Sequence, residues 1–282
     1  MINDHWSCIV DPWSLVCDVE DKMNYKDKWV LITGASSGMG SDYAELFASQ
    51  DANIILTARR ESNLVELKNK IATKYPNSKV VIVSSDLSNE EGCQNLIREI
   101  NKQDIQVHTL INNAGYGIYG EFTEMNWSEV KNMLDLDIIS LTYLTHHYVK
   151  EMKARNEGQI LLVASIGAYQ PCPLYASYGA AKAYVLNFGE ALNVELAGTN
   201  VKISVLSPGV TETEFFERSG QKQSLYQKIV MMKSMPVAKV GIRSMEKGAL
   251  SVIPGFMNNL IIFLNRFSPR KVTAILAHQL MK

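Results

Sequence analysis

Three features of the 282-residue chain predict an α/β fold built on a doubly wound parallel sheet with helices on both faces. Short strand-like runs recur along it, each continuously apolar rather than alternating, as strands buried on both faces must be. Amphipathic helical stretches separate these runs and supply the crossovers that parallel neighbours need. The first run leads directly into a glycine-rich turn that opens a helix, "TGASSGMG".

The elements follow in order. "WVLIT" (Trp29 to Thr33) is the first strand, a helix starts at about Ser41, and "NIILTA" (Asn53 to Ala58) is the second strand. In "SNLVELKNKI", Leu64, Leu67 and Ile71 keep a 3–4 spacing behind a Ser62 cap, which predicts a helix. "KVVIVS" (Lys79 to Ser84) is the third strand, and "TLINNAG" (Thr109 to Gly115) contains the fourth. A long helical segment runs from about Trp127 to Ala154. "QILLVAS" (Gln159 to Ser165) and "KISVLS" (Lys202 to Ser207) are the fifth and sixth strands. No linker composition or repeat interrupts the series. One domain is therefore expected over residues 28–282, with 1–27 as an N-terminal extension and about 214–282 as a substrate lid and tail.

Hydrophobic residues make up 46% and charged residues 20%, the balance of an ordinary folded protein. A net charge of -1, with the signs mixed, gives no electrostatic reason to expect nucleic acid or an anionic membrane as partner. Cys8, Cys17, Cys93 and Cys172 form no CxxC pair and have no histidine at zinc spacing, so no metal and a reduced, cytoplasmic protein are expected. Asp4, Asp11, Asp18 and Glu20 interrupt the start, which is no secretory signal. The most apolar run, "NNLIIFL" (Asn258 to Leu264), is too short to span a bilayer.

In the glycine turn, Gly34, Gly38 and Gly40 permit close backbone approach, and Ser36, Ser37 and Met39 lie between them. A helix N-terminus behind such a turn offers free N–H groups and a positive dipole end to a phosphate. The same letters, "GASSG", match the hydrolase elbow G-x-S-x-G with Ser36 as nucleophile. That reading needs several strands before the elbow, and here one precedes it. The second strand ends in "ARR". In a dinucleotide fold an acid there binds ribose hydroxyls, whereas Arg59 and Arg60 favour a 2′-phosphate, hence NADPH over NADH.

Two Tyr-x-x-x-Lys pairs occur. Tyr75 to Lys79 contains Pro76 and reads as a turn. Tyr178 and Lys182, in "SYGAAKAYVLNFGEAL", fall on a helix and share one face. A lysine cation beside a tyrosine favours the phenolate and brings the phenol into range for proton transfer. Ser165, at the end of the fifth strand, sits where such sheets place ligands and is suited to orient a carbonyl.

With these motifs in this order, the chain resembles the short-chain dehydrogenase/reductase family, closely over about Lys26 to Phe216. The resemblance implies a Rossmann-like fold and an NAD(P)(H)-dependent oxidoreductase acting on a secondary alcohol or ketone. It implies Ser165, Tyr178 and Lys182 as the catalytic triplet, and the glycine turn as the cofactor cradle. Asp86 with Leu87 in "SDLS" is similar to the adenine-contacting segment. Asn113, Ala114 and Gly115 of "NNAG" resemble the motif that lines the cofactor and supports the sheet. Pro208, Gly209, Thr211 and Thr213 of "SPGVTET" resemble the segment over the nicotinamide. One position departs: where the family usually has an asparagine that holds a water near the lysine, alignment of "MLDLDIISLT" puts Asp137. Its main-chain carbonyl can still support that water, and its charge either strengthens the Lys182 cation or disturbs the proton relay.

The region after Thr213 carries Phe215, Phe216, Leu225, Tyr226, Met231, Met232, Met235, Phe256 and Met257, a composition that suits a bulky apolar ligand such as a steroid. Core or subunit packing is the competing reading. "IIFLNRFSPRK" is either an amphipathic surface helix or a packing segment. The leader, with Trp6 and Trp13, docks on the domain or a partner subunit, or is mobile. The family resemblance implies a homodimer or homotetramer. An NAD(P)-binding regulator without catalysis is the alternative function, and it has no need of the Ser–Tyr–Lys set.

Overall fold

The computed structural model describes residues 24–281, so Cys8, Cys17 and the leader tryptophans lie outside the described residues. In chain order the elements begin β1 (Trp29–Thr33), α1 (Gly38–Ala48), β2 (Asn53–Ala58), α2 (Glu61–Lys74), β3 (Val80–Ser84), α3 (Glu90–Asn101) and β4 (Val107–Asn112). They continue with α4 (Trp127–Leu134), a π-helical segment (Asp135–Ser140), α5 (Leu141–Arg155), β5 (Gly158–Val163), α6 (Ala176–Glu195) and β6 (Val201–Leu206). The remainder is β7 (Thr211–Glu212), α7 (Phe215–Ser219), α8 (Leu225–Val230), β8 (Met232–Lys233), α9 (Ser234–Lys247), β9 (Ser251–Val252), α10 (Phe256–Asn265) and α11 (Arg270–Met281).

Seven strands form one parallel sheet in the order β3-β2-β1-β4-β5-β6-β9. The chain grows outward from β1 to β3, then returns to β1's other side with β4. That reversal opens a crevice at the C-terminal ends of β1 and β4. Successive residues of a strand point to opposite faces, and both faces here are covered. Val30, Ile32, Ile54 and Leu56 pack into one core, which includes Phe47 of α1, Leu64 of α2 and Val237 of α9. Leu31, Ile55, Leu110 and Ile160 enter the other, which includes Leu96 of α3, Tyr148 of α5 and Val185 of α6. Two buried faces explain why the strand sequences do not alternate.

The structure departs from the sequence reading in four places. Helix α2 starts at Glu61, its N-cap is Arg60 with no side-chain cap bond, and Ser62 instead bonds Asn63 within the first turn. The turn between β2 and α2 is only two residues long, so the helix begins before the serine. The seventh strand, β9, is two residues long and carries too little pattern to be read. The long fourth helix is continuous in direction but contains the π segment. Packing also starts ahead of the expected boundary at residue 28. Tyr25 is fully buried, its ring edge lies 4.9 Å from Phe47, and its hydroxyl donates to Gln159 Oε1 at 2.7 Å.

His108 of β4 closes this corner, 7% exposed and edge-on to Tyr25 at 6.3 Å. Burial, helped by the Lys28 charge, pushes its pKa down to about 4. The imidazole is therefore neutral in the fold, and the unfolded chain binds a proton more readily. This contribution is complete above the unfolded value near 6.5 and is lost as pH falls toward 4. At roughly 1.4 kcal/mol per unit it amounts to roughly 3 kcal/mol. Urea unfolding at pH 7 and pH 4 is expected to show a stability loss smaller by about that amount in His108→Asn; identical slopes would contradict the assignment.

Candidate active site

The site grows from the ends of β1, β4 and β5. After Thr33 the chain turns at Gly34, with φ +67°, a conformation that favours glycine. A Cβ on Gly40 would lie 2.1 Å from the Gly34 carbonyl oxygen, so α1 packs directly against the turn and no side chain fits between them. The two asparagines at the end of β4, Asn112 within the strand and Asn113 just beyond it, brace this arrangement. Asn112 Nδ2 donates to Leu141 O at 3.0 Å and Asn113 Nδ2 to Thr33 O at 3.0 Å, while Thr33 Oγ1 accepts from the Asn113 and Ala114 amides at 2.9 Å. Strand β4 is thereby fixed to both β1 and α5.

Helix α6 carries Tyr178 and Lys182 one turn apart on the face turned to the crevice. Beyond β5, Ser165 caps a short 3₁₀ turn and accepts from the Gly167 amide at 3.1 Å. Its hydroxyl stands near enough to the Tyr178 phenol to bear on its pKa, acting to lower it. The Tyr178 ring packs against Tyr175 at 5.8 Å and Phe215 at 5.3 Å. Lys182, 4% exposed, donates to Val163 O at 3.2 Å and holds its ammonium 5.6 Å from the Tyr178 ring centre. The Tyr75–Lys79 copy is unlike this one: α2 ends at Lys74 and Tyr75 begins the loop into β3.

Asp137 is fully buried in the π segment, with Oδ2 3.1 Å from Lys182 Nζ and Oδ1 accepting from the Tyr116 amide at 3.1 Å. Oδ2 makes no well-directed hydrogen bond, so the contact with Lys182 is chiefly one of charge. Burial raises the pKa of this carboxyl, and the Lys182 charge opposes the rise. The expectation that Lys182 lowers the Tyr178 phenol is corrected here. Burial pushes the phenol up and the Asp137 carboxylate adds to the rise, against the lowering effect of the Ser165 hydroxyl. The aspartate, directly beside the ammonium, offsets its field at the phenol. The side chain of Asp137 thus meets Lys182 directly, the place where the sequence reading expected its charge to act.

At the other end, Arg60 Nη2 donates to Ser36 Oγ and Ser37 Oγ at 3.0 Å each and to Glu214 Oε2 at 2.7 Å. Ser37 also donates to that carboxylate at 3.0 Å, and these bonds hold Glu214 below the usual carboxylate range. Arg218 lies near enough to Arg59 and Arg60 to feel their charge, 4.5 Å above the Tyr116 ring. Asp86 accepts from Ser88 N at 3.1 Å and Ser88 Oγ at 2.8 Å, which fixes the turn after β3. The hydrolase reading finds no support: Ser36 is bonded to an arginine, and among the described residues one strand precedes it.

Every site residue named from the sequence lines a single cleft of about 600 Å³, except Gly40, beneath the turn, and Asp137, behind Lys182. Phe215 and Phe216 line it as well, whereas Met231, Met232, Met235, Phe256 and Met257 do not. Met232 packs on the core, and Phe256 and Met257 are exposed. The side chains of Leu225 and Tyr226 lie outside what the structure describes. Sequence reasoning missed Glu214, Arg218, Tyr116, Tyr175, Gln221 and Met281, all of which line the cleft. Tyr175 had a signal, standing three residues before Tyr178 on the same helix approach; Met281 had none. These residues suit a dinucleotide. The glycine turn admits backbone approach, and the serines and Arg60 already hold one anion, the Glu214 carboxylate.

Fold and site together define a Rossmann-type α/β protein with a serine–tyrosine–lysine set at its strand ends. The chain belongs to the short chain dehydrogenase family, whose model matches residues 28–224. It is 35% identical over 188 residues to an 11-beta-hydroxysteroid dehydrogenase from Pinus massoniana, a match that covers 66% of this chain and about half, 52%, of that protein. A 7beta-hydroxysteroid dehydrogenase structure superposes with a TM-score of 0.82 at 22% identity, over 91% of this chain and 100% of its own; at that identity the likeness is one of fold. A short-chain dehydrogenase from Sphingobium yanoikuyae in complex with NADPH gives 0.76 at 26% identity, over 85% of this chain and 93% of its own.

The Asp137–Lys182 pair predicts a non-additive mutant cycle. Asp137→Leu leaves a buried cation with no polar partner in its place and is expected to lower stability at pH 7 by about 3 kcal/mol, with much of that recovered in Asp137→Leu/Lys182→Met. Additive losses in urea unfolding would show that the two groups do not depend on each other.

Proposed function

We propose that the chain is an NAD(P)(H)-dependent oxidoreductase that interconverts a secondary alcohol and a ketone on a bulky apolar substrate of hydroxysteroid or ketosteroid type. The observation that carries this reading is the set of Ser165, Tyr178 and Lys182 around one point at the strand ends of the crevice. A dinucleotide held by the glycine turn, Asp86 and the segment from Pro208 to Thr213 supplies or takes up the hydride. In reduction Ser165 orients the substrate carbonyl, and Tyr178 Oη donates a proton to its oxygen. A phenol whose pKa is raised by burial is protonated before the substrate binds, as the reductive half of this cycle requires. Lys182 fixes the ribose hydroxyls, and Asp137 acts as a positioning residue that keeps the ammonium in place.

Cofactor choice is read from the arginines. Arg59, Arg60 and Arg218 gather positive charge at this end of the cleft, which supports NADPH over NADH; a 2′-phosphate would have to take Arg60 and the two serines from the Glu214 carboxylate. An apolar substrate is supported by the wall made of Tyr175, Tyr178, Phe215 and Phe216. The name of the Pinus relative points the same way.

Two variants test the reading. Tyr178→Phe is expected to lose about 10²- to 10⁴-fold in kcat for ketone reduction, followed at the reduced-nicotinamide band, with nucleotide affinity retained. Parental turnover in that variant would favour a dinucleotide-binding regulator. Arg60→Ala is expected to weaken NADPH binding by about tenfold while NADH binding changes little, since one charge-assisted contact is worth roughly 1.5 kcal/mol or more. Equal changes for both nucleotides would remove the case for NADPH.

A further inference from the structure

Helices α10 and α11 each bury a thin stripe and expose a broad apolar one. On α10, Asn258 and Ile262 face the body, while Phe256, Met257, Leu260, Phe263 and Leu264 face outward, followed by Phe267 just beyond the helix. These positions fall at i, i+1, i+4, i+7, i+8 and i+11, which is one helical face. On α11, Thr273 and Ala277 are buried, and Val272, Ile275, Leu276 and Leu280 are exposed at the same kind of spacing. Exposure across the ten residues runs from 37% for Leu260 to 74% for Phe267. A monomer seldom leaves that much contiguous apolar surface in water unless something covers it.

The charges around this face identify what covers it. From Phe256 onward the chain contains Arg266, Arg270, Lys271 and Lys282 and neither aspartate nor glutamate. Arg266, Arg270 and Lys271 are exposed. We propose that α10 and α11 form a docking face for an anionic lipid surface, with their apolar stripes in the headgroup boundary and the basic residues against the phosphates. A second copy of the chain would oppose basic segment to basic segment, which like charges disfavour; an anionic bilayer attracts them. Among the described residues no helix is long and apolar enough to cross a membrane, so the face lies on the bilayer. This departs from the expectation, drawn from net charge, that no membrane is a partner: the whole chain is near neutral, but its last helices are not.

The same two helices touch the cleft wall. Asn265 donates to Gln170 at 2.5 Å, and Met281 O accepts from Gln221 Nε2 at 2.7 Å and Tyr119 Oη at 3.2 Å. Gln170, Gln221 and Met281 all line the cleft. A chain docked through this face holds the cleft rim beside lipid, where an apolar ketone dissolves. Only this last consequence rests on the proposed reaction.

Flotation of the full chain with vesicles tests the docking. The chain is expected to float with vesicles of phosphatidylcholine mixed with phosphatidylglycerol, to stay behind with phosphatidylcholine alone, and to release as salt is raised. Leu260→Gln/Phe263→Gln/Phe267→Gln and, separately, Arg270→Glu/Lys271→Glu are each expected to cut the bound fraction about tenfold or more. Both variants should keep the parental unfolding midpoint, because they alter exposed side chains. Parental chain that stays behind with the anionic vesicles, or variants that float as the parent does, would overturn the proposal. So would an oligomer that the apolar variant dissociates while the parent ignores lipid, since the face would then be a contact between copies. Flotation does not depend on Tyr178, so a failed Tyr178→Phe test and a failed docking test are separate results.

Discussion

The site depends on one buried charge pair. Lys182 and Asp137 are both withdrawn from water, 3.1 Å apart, and each offsets the desolvation cost of the other. The ammonium is directed by the carboxylate on one side and by Val163 O on the other, and Asp137 is itself held by the Tyr116 amide. Four stretches of chain meet at this point: the end of β5, helix α6, the π segment and the loop after β4. Any shift of α6 relative to the sheet would separate two buried charges, so the pair fixes where Tyr178 stands as firmly as hydrophobic packing does. The pair also bears on the phenol, because the aspartate adds to the rise that burial imposes on the Tyr178 pKa.

The parallel order of the sheet explains why these groups meet. All seven strands point their C-terminal ends to one edge, and the reversal between β1 and β4 parts the connecting loops there. The glycine turn comes from β1, the asparagine brace from β4 and Ser165 from just beyond β5. Helix α7 and the chain before it close the opposite side, where Glu214 bonds Ser37 and Arg60 across the cleft. The nucleotide end and the apolar end of the cleft thus share one wall, with Glu214 and Phe215 adjacent in sequence.

Much of this was legible in the chain itself, for definite reasons. Six strands showed because both faces of the sheet are buried, and that leaves uninterrupted apolar runs. The glycine turn, Ser165 and the Tyr178–Lys182 pair showed because their chemistry demands fixed residue types at fixed local spacings. What stayed hidden arises between distant segments. Met281 reaches the cleft through a helix more than a hundred residues after Tyr178, and Glu214 finds Arg60 across 154 positions. Strand β9 is two residues of ladder placed by α9, not by its own composition. The methionines after Thr213 looked like a lid by composition, yet Met232 belongs to the core.

The π segment has a further consequence. A π turn takes up more residues per revolution than an α turn, so it works as a phase shifter inside one rod. With it, Asn132 upstream bonds both Tyr116 Oη and Ser88 Oγ at 2.8 Å, while Leu144, Tyr148 and Met152 downstream keep their own seats against the sheet. Rewinding residues 135–140 as plain α-helix with none removed would turn the upstream half of the rod by about 100°. Asn132 would then swing out of reach of both partners. The odd winding is what lets one helix keep two angular appointments at once.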